Sequence, residues 1–322
     1  MSADTYSLAG KSVWVAGHRG LVGSAVARRL EREPIEAMIL ADSDELDLRR
    51  QDQTERFVAD KKPDVLILAA AKVGGIHANR SAQGEFLYDN LMIATNSLEA
   101  ARRNGVERTV VLGSSCIYPR EAPQPMREDH LLTGPLEPTN EGYAIAKIAA
   151  LELGKMYQRQ YGMHVMSLMP TNLYGPNDNF DLETSHVLPA LLRKIHEANE
   201  HGDRSIQVWG TGNPRREFLH VDDLADATIF ALRNYSGEEH LNVGVGEDIS
   251  IRELAELISE IVGWEGELEF DTSMPDGAPR KLLDVSKLQS LGWSASIALH
   301  EGIEGTYEWY LSNVELPRSS VV

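Results

Sequence analysis

Three residues in this chain are of the right type and spacing to exchange a proton with a carbonyl or alcohol oxygen. Tyr143 and Lys147 stand four apart in a stretch, 139–161, that reads as one long helix, so they share a face. An ammonium beside a phenol favours the phenolate and lowers its pKa. On that reading Tyr143 gives and takes a proton near neutral pH, and Lys147 also reaches the ribose of a nicotinamide. Such a pair often arises by chance on a solvated helix face, and Ser114 is what gives it weight. That serine directly follows an apolar strand candidate, 108–113, at the sheet edge where parallel sheets bind ligands, and its hydroxyl can donate to the same oxygen.

A glycine loop supplies the second constellation. Gly17-His18-Arg19-Gly20-Leu21-Val22-Gly23 lies between a short apolar run and a helical pattern. Glycines there let the backbone turn tightly and approach a pyrophosphate, which the helix N-terminus meets with free N–H groups. The spacing is Gly-x-x-Gly-x-x-Gly, and the bland alternative is a plain strand-to-helix turn. Asp42, after the second strand, suits ribose hydroxyls and favours NAD. Arg19, inside the loop, suits a 2′-phosphate and favours NADP. The two cues disagree.

These residues need a scaffold, and the first half of the chain alternates strand and helix signals. Runs at 12–16, 35–41, 64–71, 108–113 and 164–169 read as strands, with helices at 21–33 and 139–161. Continuous apolar strands alternating with helices predict an α/β, doubly wound parallel-sheet Rossmann fold. After Pro176 the pattern gives a helix at 187–199, a strand at 206–209 and a helix at 221–234 with Asp222 and Asp223 in its first turn. A strand at 241–245 and a helix opened by the capping-box pair Ser250 and Glu253 follow. The expected division is a dinucleotide domain at 1–173, with return crossings at about 220–246, and a smaller C-terminal α/β substrate domain at 174–322.

Composition narrows the partners. The 322 residues are 42% hydrophobic and 25% charged, enough for a sizeable core. A formal net charge of −18 argues against a broad nucleic-acid face, so an anionic small ligand would need a local cationic pocket. Cys116 is the only cysteine, which rules out an intramolecular disulfide and fits a reducing cytosol. The first residues lack a signal-like apolar core, and the longest apolar stretch, 65–71, is too short to span a bilayer. A cytoplasmic protein with no membrane partner is expected. The histidines show no metal-ligand spacing with cysteine, so no metal site is expected.

The glycine loop, Ser114 and Tyr143-x-x-x-Lys147 together resemble the extended short-chain dehydrogenase/reductase family, whose members mostly act on nucleotide sugars. Longer blocks are similar to its GDP-L-fucose synthase branch, over almost the whole chain. They include Ala69-Ala70-Ala71-Lys72-Val73-Gly74-Gly75-Ile76, Gly113-Ser114-Ser115-Cys116-Ile117-Tyr118-Pro119, Met169-Pro170-Thr171-Asn172-Leu173-Tyr174-Gly175-Pro176, Arg216-Glu217-Phe218-Leu219-His220, and Pro275-Asp276-Gly277 through Asp284. The resemblance implies an NADPH-dependent enzyme and, usually, a homodimer. It would epimerise C3 and C5 of GDP-4-keto-6-deoxy-D-mannose and then reduce C4, giving GDP-L-fucose. Both epimerised carbons lie alpha to the ketone, so one site that stabilises negative charge on the C4 oxygen serves every step.

The same resemblance implies roles for individual residues. Ser114, Tyr143 and Lys147 would be catalytic, with Cys116 and His186 moving the epimerisation protons. Read alone, Cys116 is a small core residue and His186 a structural histidine. Leu112, Gly113, Ser114, Ser115, Lys147, Pro170, Thr171, Asn172, Leu173 and His186 would join the glycine loop around NADP(H). Lys194, Trp209, Arg216 and Asp276 would meet the GDP-sugar. Two departures stand out. Members of the branch carry arginines just after the second strand, where this chain reads Ala41-Asp42-Ser43-Asp44, which weighs against a strict NADP preference. The connection between Asn234 and His240 is also shorter. The alternative reading is a nucleotide-sugar 4-epimerase or 4,6-dehydratase with retained NAD. Dehydratases usually carry an acidic residue where Ser115-Cys116 stands. A non-catalytic dinucleotide sensor would tend to lose the Tyr or the Lys.

Overall fold

The computed structural model describes residues 5–274 and 276–314; Pro275, in the last of the blocks above, lies outside them. The first strand shows why the sheet is covered on both sides. In β1 (Ser12–Ala16) side chains alternate between faces, and Val13, Trp14, Val15 and Ala16 are all buried. Val13 and Val15 enter one apolar cluster, and Trp14 and Ala16 enter another. β2 (Ala37–Ile39) is a half-exposed edge. β3 (Val65–Leu68), β4 (Arg108–Leu112) and β5 (His164–Pro170) repeat the two-faced pattern.

Hydrogen bonding orders the sheet as Leu241–Val243, β5, β4, β3, β1, β2, with every pair parallel. This is the expected doubly wound architecture. The chain leaves β1 toward β2 on one side and resumes at β3 on the other, so the order reverses between β1 and β3. Ligands bind such sheets in the crevice beyond the strand ends at that point. One face carries α1 (Leu21–Leu30), the other α2 (Gln51–Lys61). Short α3 (Ile76–Ser81) leads into α4 (Gln83–Arg103), which packs against α5 (Glu141–Tyr161) beside α2. Beyond β5 come α6 (Val187–His201), α7 (Val221–Asn234), which joins α1, and α8 (Ile251–Val262). A separate apolar cluster unites α6, α8 and the helix Leu299–Asn313.

Several boundaries move for identifiable reasons. The 35–41 strand shrinks to Ala37–Ile39, having only β1 as a neighbour. The 241–245 strand stops at Val243 because the Val245 and Gly246 N–H groups turn away to the Glu217 carboxylate, at 2.7 Å each. The capping box forms as read: Ser250 Oγ accepts from the Glu253 N–H at 3.1 Å, and Glu253 accepts from the Ser250 N–H at 2.8 Å. Asp222 and Asp223 do sit in the first turn of α7, though His220 is its N-cap. No helix among the described residues is long and apolar enough to cross a membrane.

Leu66 is fully buried in the middle of the central sheet. Leu66→Ala should cost about 2–5 kcal/mol of stability through lost burial and the cavity left behind. Denaturant unfolding followed by circular dichroism should show that loss as a lower midpoint.

Candidate active site

The glycine loop is shaped by two close approaches and one gap. Gly17, at the end of β1, has φ +87°, and a Cβ there would stand 2.6 Å from Ala70 N. A Cβ on Gly23 would overlap the Gly17 carbonyl oxygen. At Gly20 the nearest protein atom to a Cβ would be Gly17 O, at 3.6 Å, so no packing demands a glycine. Gly20 borders the main cavity and is the N-cap of α1. That cap has no side-chain hydrogen bond, and the first turn carries no acidic residue. The N–H groups of α1 therefore face open space with the positive end of the helix dipole behind them. The loop fits a dinucleotide pyrophosphate.

The cavity has a volume of about 880 Å³ and extends from the segment after β2 to the end of β4. Of the residues expected to act, it gathers Gly17, residues 20–23, residues 112–115, Tyr143, Lys147, residues 170–173 and His186. His18 and Arg19 do not line it. Arg19 forms an ion pair with Asp42 while its side chain stays 74% exposed, and His18 Nε2 lies 3.2 Å from the same carboxylate.

At the far end, Ser114 follows β4 and caps a short turn, its Oγ accepting from the Cys116 N–H at 3.4 Å. Lys147 is buried; its Nζ donates to the Leu112 carbonyl at 2.8 Å and stands 5.5 Å from the Tyr143 ring centroid. The helical spacing thus delivers both side chains to one place. Their protonation differs from the expectation. Burial pushes the Tyr143 phenol well above its ordinary value, and a charge on Cys116 adds to that. Burial pushes Lys147 down to about 8. Desolvation, and not the neighbouring ammonium, governs the phenol, so Tyr143 rests as a phenol and not as a near-neutral phenolate.

Cys116, two residues after Ser114, is buried and does not line the cavity. Burial pushes its thiol up, while Ser114, Lys281 and Lys147 pull it down. His186 is the N-cap of α6 and presents its side chain to the cavity. Enclosing protein walls leave a charge there poorly solvated, which pushes the imidazole down.

Lys194, Trp209, Arg216 and Asp276 stand apart from this cavity. Lys194 Nζ lies 5.6 Å from the ring centroid of Trp209, whose indole is 59% exposed. Asp276 accepts from the Thr211 N–H at 2.6 Å and from its hydroxyl at 2.9 Å. Arg216 is pushed below its usual value by burial, with Asp276 the one charge that raises it. Two residues had not been singled out from the sequence. Lys281 pairs with Arg216 in a parallel two-residue ladder; burial pushes its ammonium down, Cys116 pulls it up and Arg216 pushes it further down. Asp178 lines the cavity with an Oδ2 that is buried and has no partner, and burial pushes its carboxyl up to about 7. Lys281 falls within the segment 275–284 that is similar to the GDP-L-fucose synthase branch; nothing in the spacing marks Asp178. Among the described residues no group of three or more His, Cys, Asp or Glu could hold a metal ion.

The NAD dependent epimerase/dehydratase family matches residues 13–244. GDP-L-fucose synthase 1 of Arabidopsis thaliana is 55% identical over 98% of both chains. The GDP-L-fucose synthase of Escherichia coli strain K12 is 50% identical over 94% of this chain and 97% of that one. Among solved structures, a GDP-L-fucose synthetase from Naegleria fowleri bound to NADP is 30% identical, with a TM-score of 0.89 over 97% of this chain and 98% of that one.

Asp178 makes stability pH-dependent. An unfolded aspartate ionises near 3.8, whereas the folded one keeps its proton to about 7. Across that window the folded state binds more protons, so this group's contribution falls as pH rises and levels off above it. Asp178→Asn should therefore gain stability relative to the parent between pH 4 and pH 7, with no further gain above. Denaturation midpoints taken across that range would reveal it; a constant difference would contradict it.

Proposed function

The chain belongs to the NAD dependent epimerase/dehydratase family, and from that premise we propose that it converts GDP-4-keto-6-deoxy-D-mannose to GDP-L-fucose by 3,5-epimerisation and 4-reduction. The observation that carries this reading is the convergence of Ser114, Tyr143, Lys147 and His186 on one cavity that begins at a pyrophosphate-shaped loop, with the Cys116 N–H bonded to Ser114 Oγ. The cofactor is NADP(H), and when bound it supplies the hydride for C4. Gly20, residues 21–23 and the free N–H groups of α1 would hold its pyrophosphate. Lys147 would meet its nicotinamide ribose, beside residues 112–115 and 170–173.

The chain's own groups do the proton work. The Ser114 hydroxyl and the Tyr143 phenol donate to the C4 oxygen of the sugar, which stabilises the enolate formed when C3 or C5 loses its proton. Cys116 and His186 form the pair that removes each proton and returns one from the opposite face. When C4 is reduced, Tyr143 passes its phenolic proton to the alkoxide. A phenol held above its ordinary value is in the right state for that step. Arg216, Lys281 and Lys194 would meet the diphosphate, their buried or half-buried charges supporting that reading, and Trp209 would offer its exposed ring face. Residues 1–173, with returns at about 220–246, would serve the cofactor, and 174–322 mainly the sugar nucleotide. The family resemblance supports a cytoplasmic homodimer. A retained-NAD 4-epimerase would have no use for the Cys116 and His186 pair.

With NADPH and the keto-deoxy sugar nucleotide, the protein should consume reduced nicotinamide. A folded sample that consumes none with authentic substrate sinks the assignment. Tyr143→Phe should lower reduction by about 10²–10⁴-fold while solvent deuterium still enters C3 and C5. Cys116→Ser should suppress that exchange, and unaffected exchange removes Cys116 from the pair. A further expectation concerns pH. Lys147 loses its proton at about 8, so kcat/KM for reduction should fall as pH rises through that value.

A further inference from the structure

We propose that Asp42 lets the adenosine end of the cleft accept NAD(H) on nearly equal terms with NADP(H), and that this carboxylate sets the ratio between them. The inference rests on the nicotinamide-cofactor reading above and goes beyond it. Asp42 follows β2 at the sheet edge, about twenty residues after the last loop glycine, where a carboxylate meets the adenosine ribose of a dinucleotide. Its neighbours Ala41 and Ser43 line the cavity, with Asp42 itself, between them in the chain, outside the lining. Its Oδ1 is buried and makes no hydrogen bond; His18 Nε2, at 3.2 Å, is near it without bonding geometry. An ionised carboxylate only accepts, so a ribose hydroxyl completes this oxygen and a phosphate cannot.

The cations of this end point the same way. Arg19, the one cationic side chain of the glycine loop, is already paired with Asp42. Arg49, which borders the cavity after β2, is held by Asp47 at 2.8 and 3.0 Å and lies 3.5 Å from Asp89. Arg50 lies 4.0 Å from Asp47. Asp44 and Glu45 add negative charge in the same segment. A 2′-phosphate would have to draw Arg19 from Asp42 while lying beside that carboxylate. A free 2′-hydroxyl faces neither demand.

Binding can be measured without any sugar. The intact protein is titrated with NADH and with NADPH, following nicotinamide fluorescence, and the titration is repeated for Asp42→Asn, Asp42→Ala and Asp42→Ala with Arg19→Ala. The parent should bind the two within about tenfold of one another. Both single variants should move the ratio toward NADPH by about tenfold or more, as charge is removed and Arg19 is freed. The double variant should lose that gain. A parent preference for NADPH above tenfold overturns the proposal, and so does a ratio that neither single substitution moves. In either case the enzyme assignment stands, because NADPH still binds. If neither nucleotide binds, the assignment falls and this inference with it.

Discussion

Glu217 has no exposed surface, and three backbone N–H groups from two distant segments end on its carboxylate. Val245 and Gly246 donate just past the last strand of the sheet, and Leu283 donates from the segment after Lys281. Its own carbonyl accepts from Thr171 Oγ1 and Asn172 Nδ2. Burial pushes the carboxyl up, and the three N–H groups pull it back. Strands at a sheet edge leave donors that must be paired inside the protein. This residue pairs them and, in doing so, sets where Arg216 and Lys281 stand relative to the end of β5. The ladder that carries these two cations, and the turn of the chain after Val243, both depend on that junction.

Charge explains how so acidic a chain can hold a diphosphate. The net charge is −18. Yet Lys147, Arg216, Lys281 and Lys194 are each pushed down by burial, and for all four desolvation is the largest cause. These cations are under-compensated by the protein itself. A bound anion supplies the missing counter-charge and stabilises the fold that holds it. The cofactor loop uses a different device, helix N–H groups with no acidic residue in the first turn, so it attracts phosphate without a side-chain cation.

The sheet strands were legible because each is apolar on both faces, and a two-residue period with no polar side admits few alternatives. The sequence pattern announces no element over Gln51–Lys61 or Gln83–Arg103, yet both are helices. The first buries only Thr54 and Val58. The second buries Asn90 and Asn96 alongside Phe86, Leu98 and several small residues; Asn90 bonds the backbone of Lys72, and Asn96 that of Leu48. Neither carries the apolar stripe that announces a helix, because their partners are backbone groups and other helices.

For the site, the sequence alone determined which groups exist and which neighbours share a surface. A 3.6-residue period places Tyr143 and Lys147 on one face, and the strand–glycine–helix order places a phosphate cradle at the end of β1. Only the tertiary structure decided their states and their reach. It showed that Tyr143 rests as a phenol, that Arg19 is held by Asp42, that Lys281 lies beside Arg216, and that Asp178 in the cavity wall keeps one carboxyl oxygen, Oδ2, without a partner. The physical reason is that local spacing follows covalent geometry, whereas desolvation and through-space pairing depend on which distant segments the fold brings within a few ångströms.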